Sequence, residues 1–136
     1  MANALYGKAK ESLLSGEVDL SSDAVKFLMV SSDYVVAVDT HEFVSDIGSG
    51  NIVARSGELD NKTVTLGVFD ADNESVEEYG NSGFEYLILY VDSGSDATSR
   101  LLAYIDTADG LPVAATDGVA SIAIQWSNEA SKIFAL

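Results

Sequence analysis

The sequence predicts a mainly β protein, an antiparallel β-sandwich or jelly-roll-like barrel opened by a short N-terminal helix. Six or seven short runs rich in β-branched and aromatic residues are separated by clusters of Gly, Asp, Asn and Ser, the pattern of strands joined by turns. Helical periodicity is clear once and ambiguous once, both times near the N-terminus, whereas a parallel α/β sheet needs a helix after most strands. No linker divides the 136 residues, a length that buries a core without staples, so residues 1–136 read as one domain with 1–16 as a helical segment.

Asn3 is the expected cap of the first helix, in which Leu5, Ala9 and Leu13 recur at four-residue spacing and Gly16 stands at the stop position. The stripe is narrow. It suits docking on a larger body or on a neighbouring subunit. "AVKFLMV" is apolar on both faces and reads as an interior strand. The stretch from "DYVVAV" to "NIVAR" is expected to be a long connection, with a helical turn at "THEFVSDI" capped by Thr40 and an extended end. "KTVTLGVFD" alternates as a single half-buried strand whose core side carries Val64, Leu66 and Val68. "FEYLILYV" reads as a second interior strand, and "SIAIQW" alternates with Ile122, Ile124 and Trp126 inward. "KIFAL" supplies a last strand.

A net charge of −15 disfavours nucleic acid and anionic membrane surfaces, because affinity for phosphates comes from Lys and Arg. No apolar run approaches the roughly 20 residues that span a bilayer, and the N-terminus has no apolar core of a secretory signal. Use without export is the expectation. Without cysteine, neither a disulfide framework nor a thiolate metal site is possible. Between Lys62 and Arg100 no basic residue occurs, while Asp70, Asp72, Glu74, Glu77, Glu78, Glu85, Asp92 and Asp96 all do. A solvated acidic face is the plain reading of that stretch.

Recognisable chemistry is sparse. The loop "DSGSDATSRLLAYID" fails as an EF-hand: counted from Asp92, the closing acidic position falls on Ala103, and Gly94 occupies a ligand position. It reads as a turn. "DADNE" places Asp70, Asp72 and Glu74 at alternate positions, which in an extended chain can hold Ca²⁺ and which equally suit a turn. His41 is the only histidine, so no histidine cage is possible, and no nucleophile elbow accompanies it. A surface or interface histidine is expected. Tyrosines and Trp126 can form a sugar platform, but Tyr86 and Tyr90 share a strand face with Phe84 and Ile88, as core residues do. No catalytic residue, cofactor or metal is assigned. A calcium-stabilised or carbohydrate-binding sandwich remains the alternative of a different class.

Four segments together carry a resemblance: "NALYGKAKESLLSG", "THEFVSDI", "DATSRLLAYIDTADGLPV" and "WSNEASKIFAL". They resemble, along the whole chain, a family of small tailed-phage and prophage virion proteins similar to capsid decoration, or cement, proteins. The resemblance implies a non-enzymatic β-rich subunit, made in the bacterial cytoplasm, that binds the capsid exterior and bridges subunits of the major capsid protein. A tail or head-to-tail connector component is the rival within that class. The residues themselves point to the two ends as the attachment surface of a homo-oligomer, because basic residues gather there in an otherwise acidic chain. Lys8, Lys10 and Lys132, with Leu5, Leu13, Leu14 and Phe134, are the expected interface.

Overall fold

In the computed structural model, which describes residues 3–80, 82–115, 120–126 and 132–135, the chain opens on a strand, and the helix comes second. Asn3 does not cap a helix. Its Oδ1 accepts hydrogen bonds from the N–H groups of Asp106 (2.9 Å) and Thr107 (3.0 Å), and its Nδ2 donates to the Thr107 carbonyl (3.0 Å). That clasp fixes β1 (Ala4–Leu5), so Leu5 belongs to a strand and not to the helical stripe. The helix α1 (Gly7–Ser15) follows Tyr6, an extended N-cap residue that makes no side-chain cap. Gly16 ends it as expected: at φ 80° it is left-handed, a conformation that glycine adopts without Cβ strain, and its N–H reaches the Ser12 carbonyl.

The strands that follow are β2 (Val25–Val30), β3 (Ile52–Arg55), β4 (Thr63–Thr65), β5 (Val68–Asp70), β6 (Glu74–Gly80), β7 (Tyr86–Val91), β8 (Arg100–Ile105), β9 (Ala120–Ile124) and β10 (Phe134–Ala135). They form antiparallel sheets of five strands (β1-β8-β7-β2-β3), three strands (β10-β5-β4) and two strands (β6-β9). The class is the expected one, mainly β with one short N-terminal helix. The sheets remain open, with no closed barrel among the described residues. Among the described residues ten short strands stand where six or seven were expected, because two-residue pairings and one tight hairpin escape a periodicity count.

β2 and β7 are interior strands, as their two-sided apolar content implies. Phe27, Leu28, Met29, Val30, Ile88 and Leu89 are fully buried, each worth roughly 1.5–3 kcal/mol of apolar transfer. One face of the large sheet receives Tyr6 and Tyr34, whose rings meet Tyr104 and Tyr86 edge-on at 5.8 Å. The opposite face receives Trp126, edge-on to Phe27 at 6.0 Å. The sheet is therefore covered on both sides, which is why its central strands carry no solvated face. Arg100 ties helix and loop to β8: it donates to Ser12 Oγ (3.0 Å), Glu42 (2.9 Å) and Glu17 (2.6 Å).

"KTVTLGVFD" is not one strand. Leu66 and Gly67, both at positive φ (51° and 79°), make a two-residue turn between β4 and β5. The positive φ of both central residues matches the right-handed twist of the flanking strands, so the chain folds back instead of running on. The expected core side is overturned with it: Val64 is 52% and Leu66 99% exposed, while Phe69 is buried against Phe134. At "THEFVSDI" a helical turn forms, over Val44–Asp46, but Thr40 does not cap it. Asp46 takes that role, its carboxylate accepting from the N–H groups of Glu42 (2.8 Å) and Phe43 (3.0 Å), and those bonds hold its pKa below the usual carboxylate range.

Candidate interaction surface

The two acidic clusters become fasteners once folded. In the loop between β7 and β8, Asp92 pairs with Lys26 (2.7 Å), and Asp96 takes a bidentate grip from Arg55 (2.8 and 2.8 Å). The paired cations hold both carboxyls below their ordinary pKa. The loop is the turn that the sequence implies. In "DADNE", Asp72 Oδ2 accepts from Asn61 (2.6 Å), while Trp126 donates its indole N–H to the Asp72 carbonyl (3.0 Å) and its backbone N–H to Asn73 (2.9 Å). Asp70, Asp72 and Glu74 form no metal-ligating group, and no cluster of three His, Asp or Glu side chains does so among the described residues.

His41 stacks on Tyr34 (5.6 Å, 28°) and shares a hydrogen bond of 2.8 Å with its hydroxyl, which in turn shares one of 3.0 Å with the Tyr6 hydroxyl. Burial pushes the pKa of both tyrosines up, so their phenols stay protonated and are poor nucleophiles. The histidine here anchors a loop to the core.

The seven expected interface residues are distributed unevenly. Leu5, Lys10, Leu14, Lys132 and Phe134 line one groove of about 1070 Å³. Leu13 and Phe134 line a second, smaller depression of about 420 Å³ beside Val64 and Gly67 of the β4–β5 hairpin. Lys8 lines neither and pairs with Glu11 at 3.1 Å, one turn along its own helix. The two ends of the chain thus meet in space. Pairing of β10 with β5 brings the C-terminal segment in, and pairing of β1 with β8 holds the N-terminal one.

The groove has an apolar floor. Leu87, Ala103 and Ile105 come from the large sheet, Ile122, Ile124 and Trp126 from β9 and the residue pair after it, and Ile133 from the approach to β10. These residues read as ordinary core in the sequence, and only the gap between the sheets exposes them to a common space. The rim carries charge in an unusual way. Lys8, Lys26, Arg55, Lys62 and Arg100 each have a carboxylate partner. Lys10 and Lys132 have none among the described residues, and both face this groove. Outside it, the exposed large apolar side chains include Val35 (79%) and, at the hairpin tip, Leu66; Leu14 on the rim is 87% exposed.

No protein-family model and no curated protein matches this chain.

Proposed function

We propose that the chain is a non-enzymatic phage virion protein, a decoration or cement subunit. It binds the outer surface of the head shell and bridges neighbouring subunits of the major capsid protein. The observation that carries this reading is the groove of about 1070 Å³ at which both ends of the chain meet, with Lys10 and Lys132 on its rim. Contiguous apolar surface rimmed by polar groups marks an interaction site. Two cations unpaired among the described residues, on a chain of net charge −15, make that surface the one best able to approach another acidic protein. The resemblance of "NALYGKAKESLLSG" and "WSNEASKIFAL" to virion proteins falls on the segments that build the groove. The acidic remainder faces outward, where it keeps crowded copies soluble and apart.

Quantitative gels of purified particles test the reading. A decoration subunit is expected at the copy number of the major capsid protein or a simple fraction of it. A count of about 6 to 12 per particle would move the protein to the neck or tail, whose parts are rings of low copy number. Absence from particles would end the virion reading altogether.

A further inference from the structure

We infer that the groove is a strand-acceptor slot: it takes an extended, carboxylate-bearing apolar segment of a partner protein, which adds to the edge of β9 left unpaired among the described residues. This rests on the reading above only for the identity of the partner.

Three of the strands that contribute residues to the groove lie at sheet edges. β1 is the outermost strand of the five-stranded sheet, β10 is outermost in the three-stranded sheet, and β9 pairs with β6 alone among the described residues. Residues of all three line the same space. An unpaired edge presents a row of N–H and C=O groups ready for another strand, and proteins ordinarily blunt or cover such edges. β9 spans Ala120–Ile124, whereas β1 and β10 are two residues each, so β9 offers the longest run of main-chain partners.

The volume has room for a length of polypeptide: at about 1070 Å³ the groove stands at the top of the roughly 300–1,000 Å³ range of small-molecule pockets. The chemistry of the lining selects the segment. In an added strand, alternate side chains face opposite ways. One set would meet the apolar floor at Leu87, Ile122 and Ile124; the other would reach the rim, where Lys10 and Lys132 lack carboxylate partners among the described residues. Glutamate or aspartate at those positions completes the ion pairs, while lysine or arginine there is repelled. A second copy of this chain is the less favoured occupant, since two bodies of charge −15 repel one another.

Trp126, the only tryptophan of the chain, lines the groove and reports its occupation. The probe is a synthetic ten-residue peptide alternating valine and glutamate, titrated into the full chain while Trp126 emission is followed. Two controls accompany it: the same peptide with lysine for glutamate, and the valine–glutamate peptide methylated at alternate backbone nitrogens. A saturable change in emission is expected with the first peptide and with neither control. The double variant Lys10→Gln, Lys132→Gln, checked for native circular dichroism, is expected to bind at least about tenfold more weakly, the scale of a lost charge-assisted contact. Equal binding of the lysine peptide or of the methylated peptide overturns the inference, and so does undiminished binding by the double variant or no response to any peptide. If emission changes with protein concentration alone and sedimentation shows a dimer, the occupant is a second copy and the partner-segment inference fails. Failure of the virion reading looks different: the peptide binds, yet the protein is missing from particles. Conversely, a double variant that decorates particles at full occupancy while the peptide fails to bind removes the slot and leaves the virion role standing.

Discussion

Tyr34 is the middle member of a hydroxyl ladder that runs from the core to the surface, and its position decides what each substitution costs. Tyr6 is 0% exposed and depends on Tyr34 as the hydrogen-bond partner of its hydroxyl. Tyr34 has a second partner in His41. Tyr34→Phe therefore strands a buried hydroxyl and is expected to cost about 1–3 kcal/mol in urea unfolding. Tyr6→Phe removes the stranded group itself and is expected to cost less; the reverse order would mean that the ladder is not what holds this loop. The ion pair Asp92–Lys26 gives a pH signature. Its hydrogen bond to Lys26 lowers the Asp92 pKa in the fold, so its stabilisation is present above the unfolded carboxyl value near 3.9 and is lost as pH falls through the lower folded value. Asp92→Asn is expected to flatten the acid limb of a stability–pH profile below about pH 4 and to reduce stability at pH 7 by no more than ~1 kcal/mol, the range of exposed pairs. An unchanged acid limb would assign the acid sensitivity to other carboxylates.

At the scale of elements, the β4–β5 hairpin carries the clearest conflict between local chemistry and exposure. A leucine at φ 51° and 99% exposed gains nothing from burial and carries the left-handed strain that Asn tolerates better. Leu66→Asn is expected to raise stability by about 0.5–1 kcal/mol in denaturant titrations, since Asn-Gly is the preferred pair for this turn. A loss of stability instead would show that the leucine packs in the native state. Leucine at this position also explains why the turn was hard to read: "TVTLGVF" has unbroken apolar alternation, and only the glycine hints at reversal. The strands β2 and β7 were legible because continuous apolar runs admit few structures. β1 and β10 were not, because a two-residue strand has no period and exists only through its partner. Likewise Asn3 is a sound helix cap by type, yet Asp106 and Thr107, just after β8, offer its side chain two N–H groups and a carbonyl, which outcompete the single donor of a helix start.

For the whole molecule, self-repulsion sets the condition dependence. The charge of −15 is spread over a surface whose ion pairs are mostly solvent-exposed and individually weak. Screening should therefore relieve more repulsion than it removes attraction. Tm is expected to rise as salt increases from about 10 mM to 150 mM, where the Debye length falls from roughly 30 Å to 8 Å. A falling Tm would mean that the Arg55–Asp96 and Arg100 networks outweigh the net charge.

The sequence alone determined the fold class, the interior strands, the stop at Gly16, the turn at residues 92–99, and the concentration of basic and apolar residues at the two ends. Each follows from local pattern: periodicity, turn chemistry and charge count need no knowledge of distant partners. Lys10, Leu14, Lys132 and Phe134 stood out for the same reason, as members of a basic and apolar minority in an acidic chain, and the structure places all four on one groove. Tertiary structure alone decided that these ends meet, that Ile105 and Trp126 join them in one groove, and that, among the described residues, Lys10 and Lys132 lack carboxylate partners while the other cations have them. The physical reason is sequence separation. Strand pairing brings Leu5 to Ala103 and Phe134 to Phe69 across stretches of chain over which no local rule acts, so the gap between the sheets, and with it the site, exists only in the folded protein.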